Sequence, residues 1–151
     1  MTTAAALTAG VAGATPENDN GPTMESISET PPPAVEDYYY PGADQIFSDR
    51  GIRLIQGDGN IVLVDCTTDV DVIRVDSVTV GSSCYQVIGE RGWLTMEIPR
   101  VYLVQADDHN VAGRITVDDE VQAIDLAPGE HTPVGESDDG NPATLIELHA
   151  S

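Results

Sequence analysis

Cys66 and Cys84 are the only cysteines in the chain, and an even pair in an exported protein reads first as a disulfide. The alternatives are two buried free thiols or half of a metal site. Zinc takes about four ligands, and His109, His131 and His149 have no spacing that joins them to these cysteines. A bridge here contributes about 3 kcal/mol if it acts by restricting the unfolded chain. It would also remove the free thiolate that a cysteine nucleophile requires.

Oxygen-rich clusters stand at Asp69-Val70-Asp71, Asp107-Asp108 and Asp138-Asp139-Gly140-Asn141. Calcium favours such loops, but no segment carries the ligand pattern closed by a bidentate Glu. Solvated acidic loops are the default reading. Carboxylate pairs suited to general acid–base work carry no specificity in a chain with 26 acids. Ser82-Ser83 has no strained GxSxG turn around it and no matched His. No catalytic residue, cofactor or metal site is therefore expected, and the chain reads as a non-enzyme.

The run Tyr38-Tyr39-Tyr40-Pro41 differs from these. In extended chain its side chains alternate sides, and tyrosine is a residue of interface hot spots. Two readings stand: the run anchors a protein partner, or it covers one edge of its own sheet. Phe47 and Trp93, isolated aromatics near or within strands, read as core anchors.

The chain that positions these residues has 151 of them, with 26 acids against six basic residues and a formal net charge of −20. All six basic residues are Arg. A phosphate backbone needs a basic patch, so nucleic acid is not an expected partner. The absence of Lys removes Schiff-base and P-loop lysines and a polybasic membrane signal. No apolar run reaches the roughly 18 residues of a membrane span. An acidic surface with no Lys also suits a high-salt environment.

Charge and apolar density place the boundaries. Residues 1–14 are small and mildly apolar, with Ala12-Gly13-Ala14 matching a secretory cleavage site. They read as the remnant of a signal peptide whose front is missing; the alternative is an ordinary Ala/Gly terminus. Residues 15–45 read as a flexible acidic arm, rich in Pro, Glu, Ser and Thr and holding Pro31-Pro32-Pro33. Residues 46–151 hold 19 acids, all six Arg and a net charge of −13. They also carry the apolar period-two segments of a β domain.

Those segments are Gly51 to Ile55, Ile61 to Val64, Val70 to Val75, Cys84 to Ile88, Trp93 to Ile98, Val101 to Ala106, Gly113 to Val117, Val121 to Leu126 and Thr144 to Leu148. Turns separate them at Gly57 to Asn60, Asp118 to Glu120 and Pro128-Gly129, and Pro99 ends or kinks its run. No helix is expected. The fold class is all-β: an antiparallel β-sandwich of about eight strands with an extended N-terminal arm.

Several stretches together resemble a family. They are Phe47 to Ile61, Asp65-Cys66, Cys84-Tyr85, Leu94 to Tyr102 and Thr132 to Glu136. Over residues 46–149 the chain resembles small secreted actinobacterial proteins that serve as adaptor subunits in umbrella toxin particles. The resemblance implies a compact β domain whose N-terminal segment enters the cleft of a lectin-like subunit with a degenerate trypsin-like fold. It also implies that the β domain joins this lectin to the repeat-bearing stalk of a large toxin polypeptide. The chain departs from the family in lacking the front of a signal peptide. Two other functions share parts of this description: a secreted serine-protease inhibitor, and a free-standing carbohydrate- or calcium-binding module.

Overall fold

The computed structural model describes Gly13 and residues 38–67, 70–135 and 140–151. The expected signal remnant apart from Gly13, most of the arm, Asp69 and the Asp138-Asp139 pair lie outside the described residues. In chain order the elements are α1 (Ala43–Arg50), β1 (Arg53–Gly57), β2 (Ile61–Val64), β3 (Ile73–Ser77), β4 (Gly81–Val87), β5 (Gly92–Gln105), β6 (Val111–Val117), β7 (Glu120–Leu126), β8 (His131–Pro133) and β9 (Ala143–Ala150).

The nine strands are antiparallel to their neighbours, as expected of this all-β chain, and are hydrogen-bonded into one sheet. The path runs β2-β4-β3-β5-β9-β6-β7, with β1 and β8 also paired to β5. In place of the two sheets of the expected sandwich of about eight strands, a single nine-stranded sheet runs continuously through β5. The first half of β5 lies between β1 and β9, and its second half between β3 and β8.

The bend in β5 follows from its sequence. Pro99 has no N–H to give a ladder, and Arg100 sits at φ 53°. Register shifts fall between Ile98 and Val101 on the β9 side and opposite Tyr102 on the β3 side. Such bulges add a residue, bend the strand and increase its twist. Leu94, Met96 and Ile98 alternate inward, and Val101 and Val104 then resume burial at intervals of three. The freed Pro99 carbonyl accepts the Ser77 hydroxyl at 2.6 Å.

Residues from both halves of the sheet meet in one hydrophobic cluster, which includes Leu54, Ile61, Ile73, Val75, Tyr85, Leu94, Met96, Val104, Ile115 and Leu148. Burying each large aliphatic side chain contributes roughly 1.5–3 kcal/mol. The halves approach closely: a Cβ on Gly92 of β5 would lie 2.8 Å from Ile61 Cγ1 of β2. Burial pushes the Tyr85 phenol well above its ordinary range, so it stays neutral. Asp76, also buried, is satisfied by the Ser82 hydroxyl at 2.5 Å and by Arg74 Nε at 3.0 Å.

One helix corrects the expectation of none. α1 has no buried residue, so it leaves no apolar stripe for a period of 3.6 to reveal. Its ends explain it instead. Gly42 and Gly51 flank it in left-handed conformations at φ 71° and 69°, and Gly51 N–H donates back to the Phe47 carbonyl at 2.9 Å. Asp44 in the first turn and Arg50 in the last complement the helix dipole. The boundary placed at residue 46 falls inside this helix.

Candidate protein-binding surface

Tyr38-Tyr39-Tyr40 lies along the outer edge of β1. Gly57 N–H donates to the Tyr38 carbonyl at 2.9 Å, Tyr40 N–H donates to the Ile55 carbonyl at 3.0 Å, and Tyr39 stands opposite Gln56. The run therefore extends the sheet by a short rung.

Its three rings part company. Tyr40 is half-buried against the core, and its hydroxyl accepts the backbone N–H of Leu63 at 2.9 Å. Leu63 belongs to β2, an end strand of the sheet path, so Tyr40 links the edges of β1 and β2. Tyr38 and Tyr39 remain 45% and 67% exposed. The Tyr38 ring tilts against the half-exposed Trp93 with centroids 5.9 Å apart. Tyr40 takes the edge-covering part of the two readings, while Tyr38 and Tyr39 present ring surface outward.

Phe47 and Trp93 are not core anchors. Phe47 is 47% exposed on α1, with the Arg53 guanidinium 4.6 Å above its ring. Arg53 in turn pairs with Glu97 at 3.5 Å. Trp93 shares the polar face of β5 with Thr95 and Glu97, while Leu94, Met96 and Ile98 point inward. That assignment was readable from the alternation. Phe47 was not readable in this way, because its surroundings come from β1 and β5.

The result is an aromatic ridge with an open groove on each side. One groove, about 600 Å³, is lined by Tyr39, Phe47, Arg53, Ile55 and Glu97. The other, about 530 Å³, is lined by Tyr38, Pro41, Ile46, Gly57 and Val62. Pro41 thus sits beside the tyrosines on this surface. Aromatic rings held by a backbone rung lose little freedom on binding, which suits them to protein contacts.

Cys66 and Cys84 form the disulfide, with Cα atoms 5.1 Å apart, and no free cysteine remains. Cys84 lies on β4 opposite Val64 and Arg74, and Cys66 follows the end of β2.

Among the described residues, Asp107, Asp108 and His109 come close enough together to resemble a cation site. Their atoms are already engaged with one another. The buried Asp107 carboxylate accepts both His109 N–H and His109 Nδ1–H, at 3.0 and 2.9 Å. His109 Nε2 lies 3.0 Å from the Gly89 carbonyl and Nδ1 lies 3.0 Å from Asp108. Both ring nitrogens face oxygen acceptors, so the geometry selects the doubly protonated imidazolium. Partial burial works against that charge, but the Asp107 hydrogen bond, the Gly89 carbonyl and the two carboxylates outweigh it and raise the pKa. The cluster is an internal ion pair joining the β4–β5 turn to the β5–β6 loop.

The sign of its pH dependence follows. A raised folded-state pKa stabilises the fold fully below the ordinary histidine value of about 6.5, and this stabilisation is lost as pH rises through the raised value. The melting temperature of the wild type should exceed that of His109→Gln most at mildly acid pH, with the gap closing as pH rises through the raised value. A gap independent of pH would contradict the imidazolium assignment.

No family model matches the sequence, and the comparison with curated proteins finds no match. Among the described residues, no helix is long and apolar enough to cross a membrane.

Proposed function

We propose that this protein is a non-enzymatic, exported adaptor. Its N-terminal segment would enter the cleft of a lectin-like subunit with a degenerate trypsin-like fold. Its β domain would join that subunit to the repeat-bearing stalk of a large polymorphic toxin. The observation that carries the binding part is the ridge of Tyr38 and Tyr39, exposed beside Trp93 and Phe47 where the arm meets the sheet. The disulfide is compatible with an oxidising, extracellular setting.

In this reading Tyr40 keeps the rung in place, and Tyr38, Tyr39 and Pro41 contact the rim of the partner's cleft. The arm supplies extended backbone, whose ordering costs about 2–5 kcal/mol and must be offset by such anchors. The test is a two-partner pull-down using the full chain, a chain lacking residues 1–37, and the double variant Tyr38→Ala, Tyr39→Ala. The deletion should abolish capture of the lectin-like subunit. The double variant should weaken it by at least about 2 kcal/mol, roughly thirtyfold, as for hot-spot aromatics. Capture of the toxin stalk should survive both changes. Equal capture of the lectin-like subunit by all three chains would refute the role of the arm and ridge. Inhibition of an active serine protease by the free chain would make it an inhibitor instead.

A further inference from the structure

Among the described residues, β7 ends the sheet path and pairs only with β6. The two-residue turn Asp118-Asp119, at φ 51° and 65°, has the left-handed backbone of a type I′ hairpin. Its closing pair, Val117 and Glu120, is therefore mutually hydrogen-bonded, and every second pair along the ladder repeats this. By that alternation Val121, Ala123 and Asp125 turn their N–H and C=O groups away from β6. The β9 side of β6 agrees: Asn110 and Ser151 exchange both backbone bonds at 3.0 Å. Ala112 and Arg114, two and four residues on, are thereby directed to β9 and away from β7.

Val121, Ala123 and Asp125 are all exposed. They form an edge with three outward donors and three outward acceptors. The usual protections of an edge are charged side chains (Lys above all), Pro, a bulge or a covering segment. The charges on β7 are the two acids Glu120 and Asp125, which repel an acidic strand but not a basic one. β7 reads EVQAIDL, with no Lys or Pro, and its register against β6 is unshifted. The other edges among the described residues are short or occupied. β1 carries the tyrosine rung, β2 has four residues with Leu63 N–H taken by Tyr40, and β8 has three residues including Pro133.

We infer that the β7 edge is a docking site for an extended, basic segment of a protein partner, added as a further strand. Backbone pairing supplies the geometry. Charge selects the occupant. Asp118, Asp119, Glu120 and Asp125 border the edge, and the nearby Arg114 is paired with Glu147 at 3.3 Å. A second copy of a chain with net charge −20 is disfavoured by repulsion. A segment alternating Lys or Arg with apolar residues places its cations on the outer face, which carries Asp125 with Val121 and Ala123, and its apolar groups on the other face beside the half-buried Ile124. This site is separate from the tyrosine ridge and does not depend on the adaptor reading.

The experiment is amide hydrogen exchange on the full chain with three synthetic peptides. These are an alternating Lys–Val peptide, its Glu–Val counterpart, and a Lys–Val peptide N-methylated at alternate residues. The Lys–Val peptide should slow exchange at Val121, Ala123 and Asp125, and the other two should not. Ala123→Pro removes one outward N–H while leaving the β6 bonds intact. It should weaken Lys–Val binding about tenfold, equivalent to about 1.4 kcal/mol, with little change in melting temperature. If that variant fails to fold, the exchange pattern of the wild type decides alone. Unchanged exchange at the three amides with saturating Lys–Val peptide would overturn the proposal. Equal binding of the N-methylated peptide would also overturn it, since charge alone would then suffice. A concentration-dependent dimer that protects the same amides would assign the edge to a second copy and overturn the basic-partner assignment.

Discussion

Removing the Cys66–Cys84 bridge is expected to lower the unfolding free energy by about 2–5 kcal/mol, the usual cost for a native disulfide in a small domain. The bridge spans 18 residues of sequence, and closing such a loop restricts the unfolded chain by about 3 kcal/mol. Its placement adds to this. β2 has only four residues and, among the described residues, pairs only with β4. The bridge holds the exit of β2 to Cys84 in the interior strand, directly beside the Val64–Cys84 pair. The measurement is urea unfolding of the double variant Cys66→Ala, Cys84→Ala beside the oxidised wild type. The midpoint should fall markedly, and reduction of the wild type should produce a comparable loss. Coincident unfolding curves would show that β2 and β4 need no covalent link.

The second large effect concerns where the folded unit begins. A chain of residues 46–151 should be less stable than one of residues 38–151 by about 3–5 kcal/mol, the cost of deleting a large packed aromatic. The shorter chain loses Tyr40, whose ring packs on the core. It also strands Leu63 N–H, Gly57 N–H and the Ile55 carbonyl, which the tyrosine rung satisfies. Each lost hydrogen bond contributes about 1 kcal/mol. Cutting at residue 46 further removes Gly42 and the first turn of α1, including Asp44. Thermal and urea unfolding of the two chains side by side test this. Matching midpoints would return the tyrosines to a role outside the fold.

The boundary at residue 46 was drawn where period-two hydrophobicity starts, and that criterion has a blind spot. A rung such as Tyr38–Tyr40 is too short to show a period, and α1 buries none of its residues. Legible signals were still present in Gly42, Asp44, Arg50 and Gly51, which bound a helix by its ends rather than by its face. β8 escaped for a similar reason, having only three residues. The surface was legible only in part. Tyr38 and Tyr39 are exposed, but their neighbours Trp93, Phe47 and Arg53 come together from three separate elements. His109 gave no sequence signal, since its charge state depends on a carbonyl 20 residues away at Gly89.

By itself the sequence determined what neighbouring residues decide among themselves. Alternation made the chain all-β, Asp118 to Glu120 made a hairpin turn, Pro99 broke the regular run of β5, and two cysteines without metal-ligand company made a bridge. These are local steric and period effects, set within a few residues. Only the tertiary structure decided which strands lie beside which. β5 is 14 residues long and bends at Pro99-Arg100, so its two halves take different neighbours and one sheet closes over a single core. It likewise decided that Tyr40 turns inward while Tyr38 and Tyr39 face out, and that β7 is left as an open edge. Those outcomes depend on contacts between distant segments, and distant segments exert no force on one another until the chain has brought them together.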